Sequence, residues 1–235
     1  MNNINGNKKV CAVIAAAGKS TRMGFENGIS KQFIEIDGKT VIEKTVTVFD
    51  LCSYIDEIII VSRFEDIDKI KKIIENAGLK KVVNIIAGGE TRKESVSKAV
   101  EKIGEHIDFI AIHDGARCFI TCGDIIKVIS KAFETGAAAA GTKVTDTIKL
   151  ADNNNNIIKT IDRNLLWAVQ TPQVFSRNLY LSALKLCERD VTDDCAVIEN
   201  TGHILSIVEC SKYNIKITDS QDLNFFNSNR GIKRI

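Results

Sequence analysis

VCAVIAAAGKSTRMG, residues 10–24, decides the fold. An apolar run beginning at Val10 ends in small residues, Ala15-Ala16-Ala17-Gly18, and a loop carrying Lys19 and Arg22 follows. A buried strand that ends this way brings backbone N–H groups and fixed positive charge to one point, the arrangement that nucleotide phosphates require. Gly18-Lys19-Ser20 also copies the tail of a P-loop, G-x-x-x-x-G-K-[ST]. The first glycine of that motif is replaced by Val13, inside the strand, and Met23 to Gly28 is poor material for the helix that must follow. The stretch reads as a strand and phosphate loop of another kind.

Beyond it, apolar β-rich runs alternate with segments of helical period, the signature of parallel strands joined by crossover helices. Val10 to Ala15, Glu57 to Val61, Val82 to Ala87 and Phe109 to Ile112 read as buried strands. Ile67, Ile70 and Ile73 or Ile74 form one helical stripe, and Val96, Ala99, Val100 and Ile103 another. Asp124 to Phe133 supplies a further helix. Ligands of open parallel sheets sit at the carboxyl ends of the strands, so the loops at Gly18, Gly88-Gly89 and Asp114 are expected to converge on one crevice.

From Thr142 the rhythm changes. Thr142 to Leu150 and Ile157 to Arg163 alternate like exposed strands around the polar tract Asp152 to Asn156, which predicts a hairpin with a soluble tip. Such an arm, about residues 142–168, buries too little by itself and is expected to pack on a second copy of the chain. Pro172 is the only proline and reads as a rigid corner after the arm. Helices near Leu179 to Cys187 and Asp193 to Asn200, and strands at His203 to Val208 and Asn214 to Thr218, close the pattern.

The composition agrees with a single α/β domain over residues 1–235, since 235 residues with 44% hydrophobic content suffice for one sizeable core. A net charge of +2 gives no bulk attraction to nucleic acid or an anionic membrane. No apolar run approaches the roughly 20 residues of a membrane helix, and MNNINGNKKV has no secretory h-region. Seven scattered cysteines without a C-x-x-C pair read as reduced thiols in the cytoplasm. Cys118, Cys122 and His113 match no zinc spacing.

The motifs together resemble the 2-C-methyl-D-erythritol 4-phosphate cytidylyltransferase family from about Val10 to Phe226. The resemblance rests on Ala15-Ala16-Ala17-Gly18 with Arg22-Met23, Lys31-Gln32-Phe33, Gly88-Gly89-Glu90 with Arg92 and Ser95, and His113-Asp114-Gly115-Ala116-Arg117. It continues through Asp146-Thr147, Asp162-Arg163-Asn164, Trp167, Gln170-Thr171-Pro172-Gln173, Thr192-Asp193 and Asn214-Ile215-Lys216. It implies a Rossmann-like nucleotidyltransferase fold, a mainly parallel sheet flanked by helices with a protruding β-hairpin arm that forms a homodimer, and a divalent metal, usually Mg2+. It implies CTP and methylerythritol phosphate as substrates. Arg22 and Lys31 match the pair that stabilises the transition state, and Arg163 and Lys216 the pair that positions the second substrate. Ala15, Ala16, Gly18, Gly88, Gly89, Glu90, Ser95 and Ala116 resemble the cytidine and ribose contacts. Two positions depart from the family: Glu90 stands where many relatives carry aspartate, and Cys118 where proline is usual.

Chemistry points the same way. Attack of a phosphate oxygen on the α-phosphate of CTP is hindered by crowded negative charge, so positioning and neutralisation dominate. The sequence offers cations at loop positions and no constellation for covalent catalysis. Asp114 can orient nucleotide or place the metal, and Thr147, Thr171 and Thr192 can hydrogen-bond the alcohol phosphate. If the arm crosses to a partner, Thr147 and Arg163 serve the partner's site. Asp193 and Asp194 read equally well as caps of the following helix. The alternatives are a cytidylyltransferase for another polyol phosphate such as ribitol 5-phosphate, a P-loop kinase or ATPase, and a non-catalytic nucleotide-binding protein.

Overall fold

Val10–Ala15 forms β1, the central strand of the main sheet, and its alternation sends Val10, Ala12 and Ile14 into one core and Cys11 and Val13 into another. The computed structural model describes residues 8–18, 30–189, 191–199, 201–219 and 222. Lys19 and Arg22 lie outside the described residues.

After β1 come the short strands β2 (Glu35–Ile36) and β3 (Lys39–Thr40), joined by Asp37-Gly38 with both φ angles positive, and then α1 (Val41–Leu51). There follow β4 (Glu57–Ser62), α2 (Ile67–Asn76), β5 (Val82–Ala87), α3 (Arg92–Val100), β6 (Phe109–Asp114), α4 (Cys122–Thr135) and β7 (Ala137–Lys143). The remaining elements are β8 (Lys149–Ala151), β9 (Ile157–Thr160), β10 (Trp167–Ser176), α5 (Arg177–Leu186), α6 (Cys195–Glu199) and β11 (Ser206–Glu209).

The seven-stranded sheet runs β11-β7-β10-β6-β1-β4-β5, and only β10 opposes its neighbours. Ile42, Val46 and Phe49 of α1, Ile70 of α2 and Ile125 and Ile129 of α4 pack on one face. Val96 and Val100 of α3, Tyr180 of α5 and Ile198 of α6 cover the other. Truncating a fully buried ring such as Phe49 to alanine costs about 3–5 kcal/mol in transfer and cavity terms. The helices start by one device: Thr40, Thr91 and Thr121 each accept the amide three residues on, from Glu43, Glu94 and Asp124. Each such cap contributes about 1 kcal/mol. Gly136, with φ of 82°, ends α4 in the left-handed conformation that lets its amide reach Ala132.

The path sets the site. From β1 the chain steps outward to β4 and β5 and then returns to the other side of β1 at β6, so the strand order reverses between β1 and β6. Ala15 and Asp114 are register partners at the carboxyl ends of that pair, where a crevice opens.

Several sequence expectations are corrected. Val82 to Ala87 is not a fully buried strand, because β5 ends the sheet and Val83 is exposed. Pro172 does not turn a corner: it lies within β10, after a cis peptide bond, where the pairing with β7 shifts register between Val169 and Gln173. That irregularity accommodates a residue with no N–H to donate. Asn214 to Thr218 is not a strand. Its backbone makes isolated hydrogen bonds and no ladder, among them the Ile217 amide to the Ala116 carbonyl at 2.9 Å and Arg117 to the Asn214 carbonyl, which lay the segment across the loop after β6. The expected hairpin exists as β8 and β9, shorter than the pattern suggested because Thr142 and Lys143 belong to β7.

Candidate active site

The crevice is built from three strand ends and one helix start. Ala16 donates its amide to Val61 and Gly115 to Ala15, which carries the pairing past the ends of β1 and β6. The Gly88 amide reaches the Ser62 carbonyl at 2.8 Å, so the chain leaving β5 stays paired alongside the end of β4. A Cβ at Gly88 would stand 2.6 Å from the Cβ of Ala17, and only glycine permits that approach. The chain then enters α3 through Gly89, Glu90 and Thr91. Ser95 Oγ accepts the Gly89 amide at 2.9 Å, and Glu94 accepts that of Glu90 at 2.8 Å. The amino end of α3, favourable to anions, therefore faces the crevice.

Asp114 lies at its centre. Its Oδ2 is 3.0 Å from Lys216 Nζ and 3.4 Å from Arg117 Nε, and its Oδ1 is 3.6 Å from Arg92 Nη2. Burial opposes its charge, yet Lys216, Arg92 and Arg117 together hold the carboxyl well below the usual carboxylate range. Arg92 also pairs with Asp194, whose other oxygen accepts the Tyr180 hydroxyl at 2.7 Å. Burial works against the Arg92 charge, and the two carboxylates outweigh it, so the guanidinium stays charged. Lys31 comes from a single 3-10 turn, Lys31–Phe33, and donates to the Ile217 carbonyl at 3.1 Å, which places it beside the segment carrying Lys216.

Behind Asp114 a hydrogen-bond relay fixes the loop. The Asp114 amide donates to Thr171 Oγ1 at 3.0 Å, the Thr171 hydroxyl meets His113 Nδ1 at 3.0 Å, and His113 Nε2 meets the Arg117 carbonyl at 3.2 Å. Nε2 faces a carbonyl and so carries a proton, and in the neutral ring Nδ1 accepts the Thr171 hydroxyl. Burial pushes its pKa down to about 4. Asn214 Nδ2 donates to the Thr171 carbonyl at 2.8 Å, which ties the Lys216 segment to the same loop.

Of the residues expected at a site, Ala15, Gly18, Lys31, Gly89, Glu90, Ser95, Asp114, Ala116 and Lys216 line one cavity. Ala16 is buried directly behind it, and Gly88 packs underneath against Ala17 and Ser95. Thr171 lies within the relay and not on the cavity wall. Thr192 is exposed and apart from the wall, and Asp193, three residues before Ala196, accepts that residue's amide as a helix cap does. Thr147 and Arg163 lie on the arm, exposed, with Arg163 Nη1 donating to the Thr145 carbonyl at 2.6 Å. Arg22 falls outside the described residues. The wall also holds Ala17, Gln32, Thr91 and Arg92, which the sequence reading gave no role. A Thr-x-x-Glu capping pattern at Thr91 and Glu94 was the available signal for the helix start.

A doubly wound sheet with its crevice at the β1/β6 reversal, a helix start facing that crevice, and one lysine and two arginines converging on a single carboxylate define an α/β nucleotidyltransferase. The model of the 2-C-methyl-D-erythritol 4-phosphate cytidylyltransferase (IspD) family matches residues 10–228, and the chain belongs to that family. A cytidylyltransferase of this name from Clostridium tetani is 41% identical over 220 residues, covering 92% of this chain and 88% of the relative. Another from Clostridium perfringens strain 13 is 42% identical over 218 residues, covering 92% and 96%. The crystal structure of a 4-diphosphocytidyl-2C-methyl-D-erythritol synthase from Anaerococcus prevotii is similar at a TM-score of 0.86 and 29% identity, covering 97% of this chain and 98% of that one.

Proposed function

We propose that the protein transfers a cytidylyl group from CTP to 2-C-methyl-D-erythritol 4-phosphate. The observation that carries the proposal is the convergence of Lys31 and Lys216 on the crevice where Asp114 and the start of α3 meet, in a chain of this family. A phosphate oxygen of the alcohol substrate attacks the α-phosphorus of CTP, a new P–O bond forms, and the bond from that phosphorus to the bridging oxygen breaks. Pyrophosphate leaves with the electron pair. Lys31, with Arg22, neutralises charge gathering on the α-phosphate, and Lys216 receives the incoming phosphate. The backbone at Ala15, Gly18, Gly89 and Ala116 would admit the nucleotide closely, and Ser95 and Glu90, on the same wall, are assigned to its base and sugar. The family is named for methylerythritol phosphate, so ribitol 5-phosphate is not the favoured acceptor.

The donor set fits a Mg2+ ion carried mainly by the triphosphate. Among the described residues no group of three or more His, Cys, Asp or Glu side chains forms a metal cage, while Asp114 and Glu90 put carboxylates on the cavity wall. Asp114 would hold the ion in exchange for part of its pairing with Lys216, Arg117 and Arg92, and the ion would offset charge on the phosphates and on departing pyrophosphate.

We assign the working form as a homodimer. Every residue of β8 and β9 is exposed, with Ile157 at 67% and Ile158 at 60% of their surface in solvent, and such a hairpin is marginal in water unless covered. A second copy that covers the arm would receive Thr147 and Arg163 at its own crevice. We place the protein in the cytoplasm, where seven free cysteines stay reduced; among the described residues no helix is long and apolar enough to cross a membrane.

Pyrophosphate release with CTP and magnesium, measured in parallel with methylerythritol phosphate, ribitol 5-phosphate and no alcohol, tests the assignment. Release only with methylerythritol phosphate supports it. Release only with ribitol phosphate overturns the acceptor, and none in any arm overturns the enzyme.

A further inference from the structure

Gln32 sits on the cavity wall with 2% of its surface exposed, and among the described residues its buried Oε1 has no hydrogen-bond partner. Buried side-chain oxygens are nearly always paired, so an orphan on a ligand cavity marks a place where a donor arrives. The side chain is held there from both sides. Lys31 is anchored by its bond to Ile217, and Phe33 packs on the core with Lys69 Nζ 3.8 Å from its ring centre. The floor beneath is Gly115, whose carbonyl is turned away to accept Thr45 Oγ1 at 2.9 Å. A Cβ on Gly115 would stand 3.1 Å from Gln32 Oε1, so the missing side chain leaves the carboxamide just enough room to lie over the loop that carries Asp114.

An acceptor oxygen needs a donor, and phosphates ionised at neutral pH supply none. The donors of the two proposed substrates are the cytosine amine, the ribose hydroxyls and the hydroxyls of the alcohol. Gln32 shares the cavity wall with its chain neighbour Lys31, and its carboxamide oxygen lies by Gly115. We propose, resting on the transfer reaction assigned above, that the Gln32 carboxamide oxygen accepts a substrate hydroxyl and makes this residue a determinant of substrate choice. Lys31 supplies charge, and its neighbour reads a hydroxyl.

The test replaces the amide by a chain of similar length without polar atoms, Gln32→Met, and uses Gln32→Glu as a second variant that keeps an acceptor. CTP and 2′- and 3′-deoxy-CTP are titrated calorimetrically, and KM for methylerythritol phosphate is measured by pyrophosphate release. A ribose contact makes Gln32→Met bind CTP about tenfold more weakly while one deoxy analogue binds wild type and variant alike. A contact to the alcohol instead raises its KM about tenfold and leaves CTP binding unchanged. Either result supports the proposal, as does recovery of the affected parameter in Gln32→Glu. If neither CTP affinity nor the alcohol KM moves in folded Gln32→Met, the proposal is overturned. A lowered melting temperature with all ligand parameters intact likewise assigns Gln32 a structural role. A wild type that binds CTP but releases no pyrophosphate overturns the assigned reaction alone, because the nucleotide titrations still decide the ribose contact.

Discussion

The ammonium of Lys216 stands 3.0 Å from Oδ2 of Asp114, so a cation assigned to a substrate phosphate is held in place by an internal carboxylate. Arg92 and Arg117 approach the same carboxylate, and one buried anion therefore organises three cations contributed from α3, the loop after β6 and the distant Lys216 segment. Asp114→Asn removes the charge and leaves the cations repelling one another. The expected result is a loss of about 3 kcal/mol at pH 7 in urea unfolding and at least a hundredfold drop in turnover. Folding holds this carboxyl below its ordinary value, so its stabilisation is complete above about pH 4 and disappears as pH falls toward the folded pKa. The gap between wild type and variant should thus persist at pH 5 and close only in stronger acid. Equal unfolding midpoints at pH 7 would show that the ion pairs contribute nothing net.

His113 gives a second pH dependence in a different window. Its pKa falls from 6.5 to about 4 chiefly through burial, so below pH 6.5 the unfolded chain takes up a proton that the folded chain refuses. Stability is therefore lost as pH drops from 6.5 toward 4, by about 3 kcal/mol at pH 4. His113→Gln cannot titrate and should remove that part of the slope between pH 7 and pH 4, even though it starts less stable. Parallel slopes for wild type and variant would mean that His113 already takes a proton in the folded state.

The sheet centre and the strand ends at the crevice were legible because their signals are local. Val10 to Ala15 and Val82 to Ala87 have the bounds the apolar runs indicated, and the glycines and Asp114 mark strand ends. What stayed hidden depends on distant chain. Ala137–Lys143 is a strand of alanines whose burial comes from β10 and β11 on either side, not from its own propensity. Asn214 to Thr218 alternates like a strand, but β7 already has β10 and β11 as neighbours, so the segment crosses the β6 loop and presents Lys216 from there. Arg92 and Gln32 sit in motifs that give them no role by themselves, since only folding brings one to Asp114 and Asp194 and leaves the other's oxygen without a partner among the described residues.

Gly88 tests how closely the nucleotide floor is packed. A methyl group there would stand 2.6 Å from the Cβ of Ala17 and 2.7 Å from Ser95 Oγ, the hydroxyl that holds the Gly89 amide. Gly88→Ala must displace Ser95 or the strand end, at a cost of about 1–3 kcal/mol, and should raise KM for CTP about tenfold. Gly18→Ala provides the comparison, because among the described residues nothing lies within 4 Å of its added Cβ. Its melting temperature should stay close to that of wild type. Equal destabilisation by the two variants would contradict the packing at β5.

The arm makes the most demanding prediction, because it asks whether a site is complete within one chain. Arg163 is assigned to the alcohol phosphate, yet it stands exposed on the arm with its guanidinium on the Thr145 carbonyl, whereas Lys216 lines the crevice. If the arm serves a second copy, Arg163→Ala and Lys216→Ala damage the same composite site from different chains. A mixed dimer then has one site with both defects and one with neither. Each variant alone should be nearly inactive, while a statistical one-to-one mixture, with half its dimers mixed, should recover about a quarter of wild-type activity. Placing lysine at Ile157 and Ile158, both exposed on β9, should give monomers by analytical ultracentrifugation and abolish that recovery. Verified mixed dimers without recovered activity would mean that each crevice is built from a single chain, with Arg163 outside the reaction.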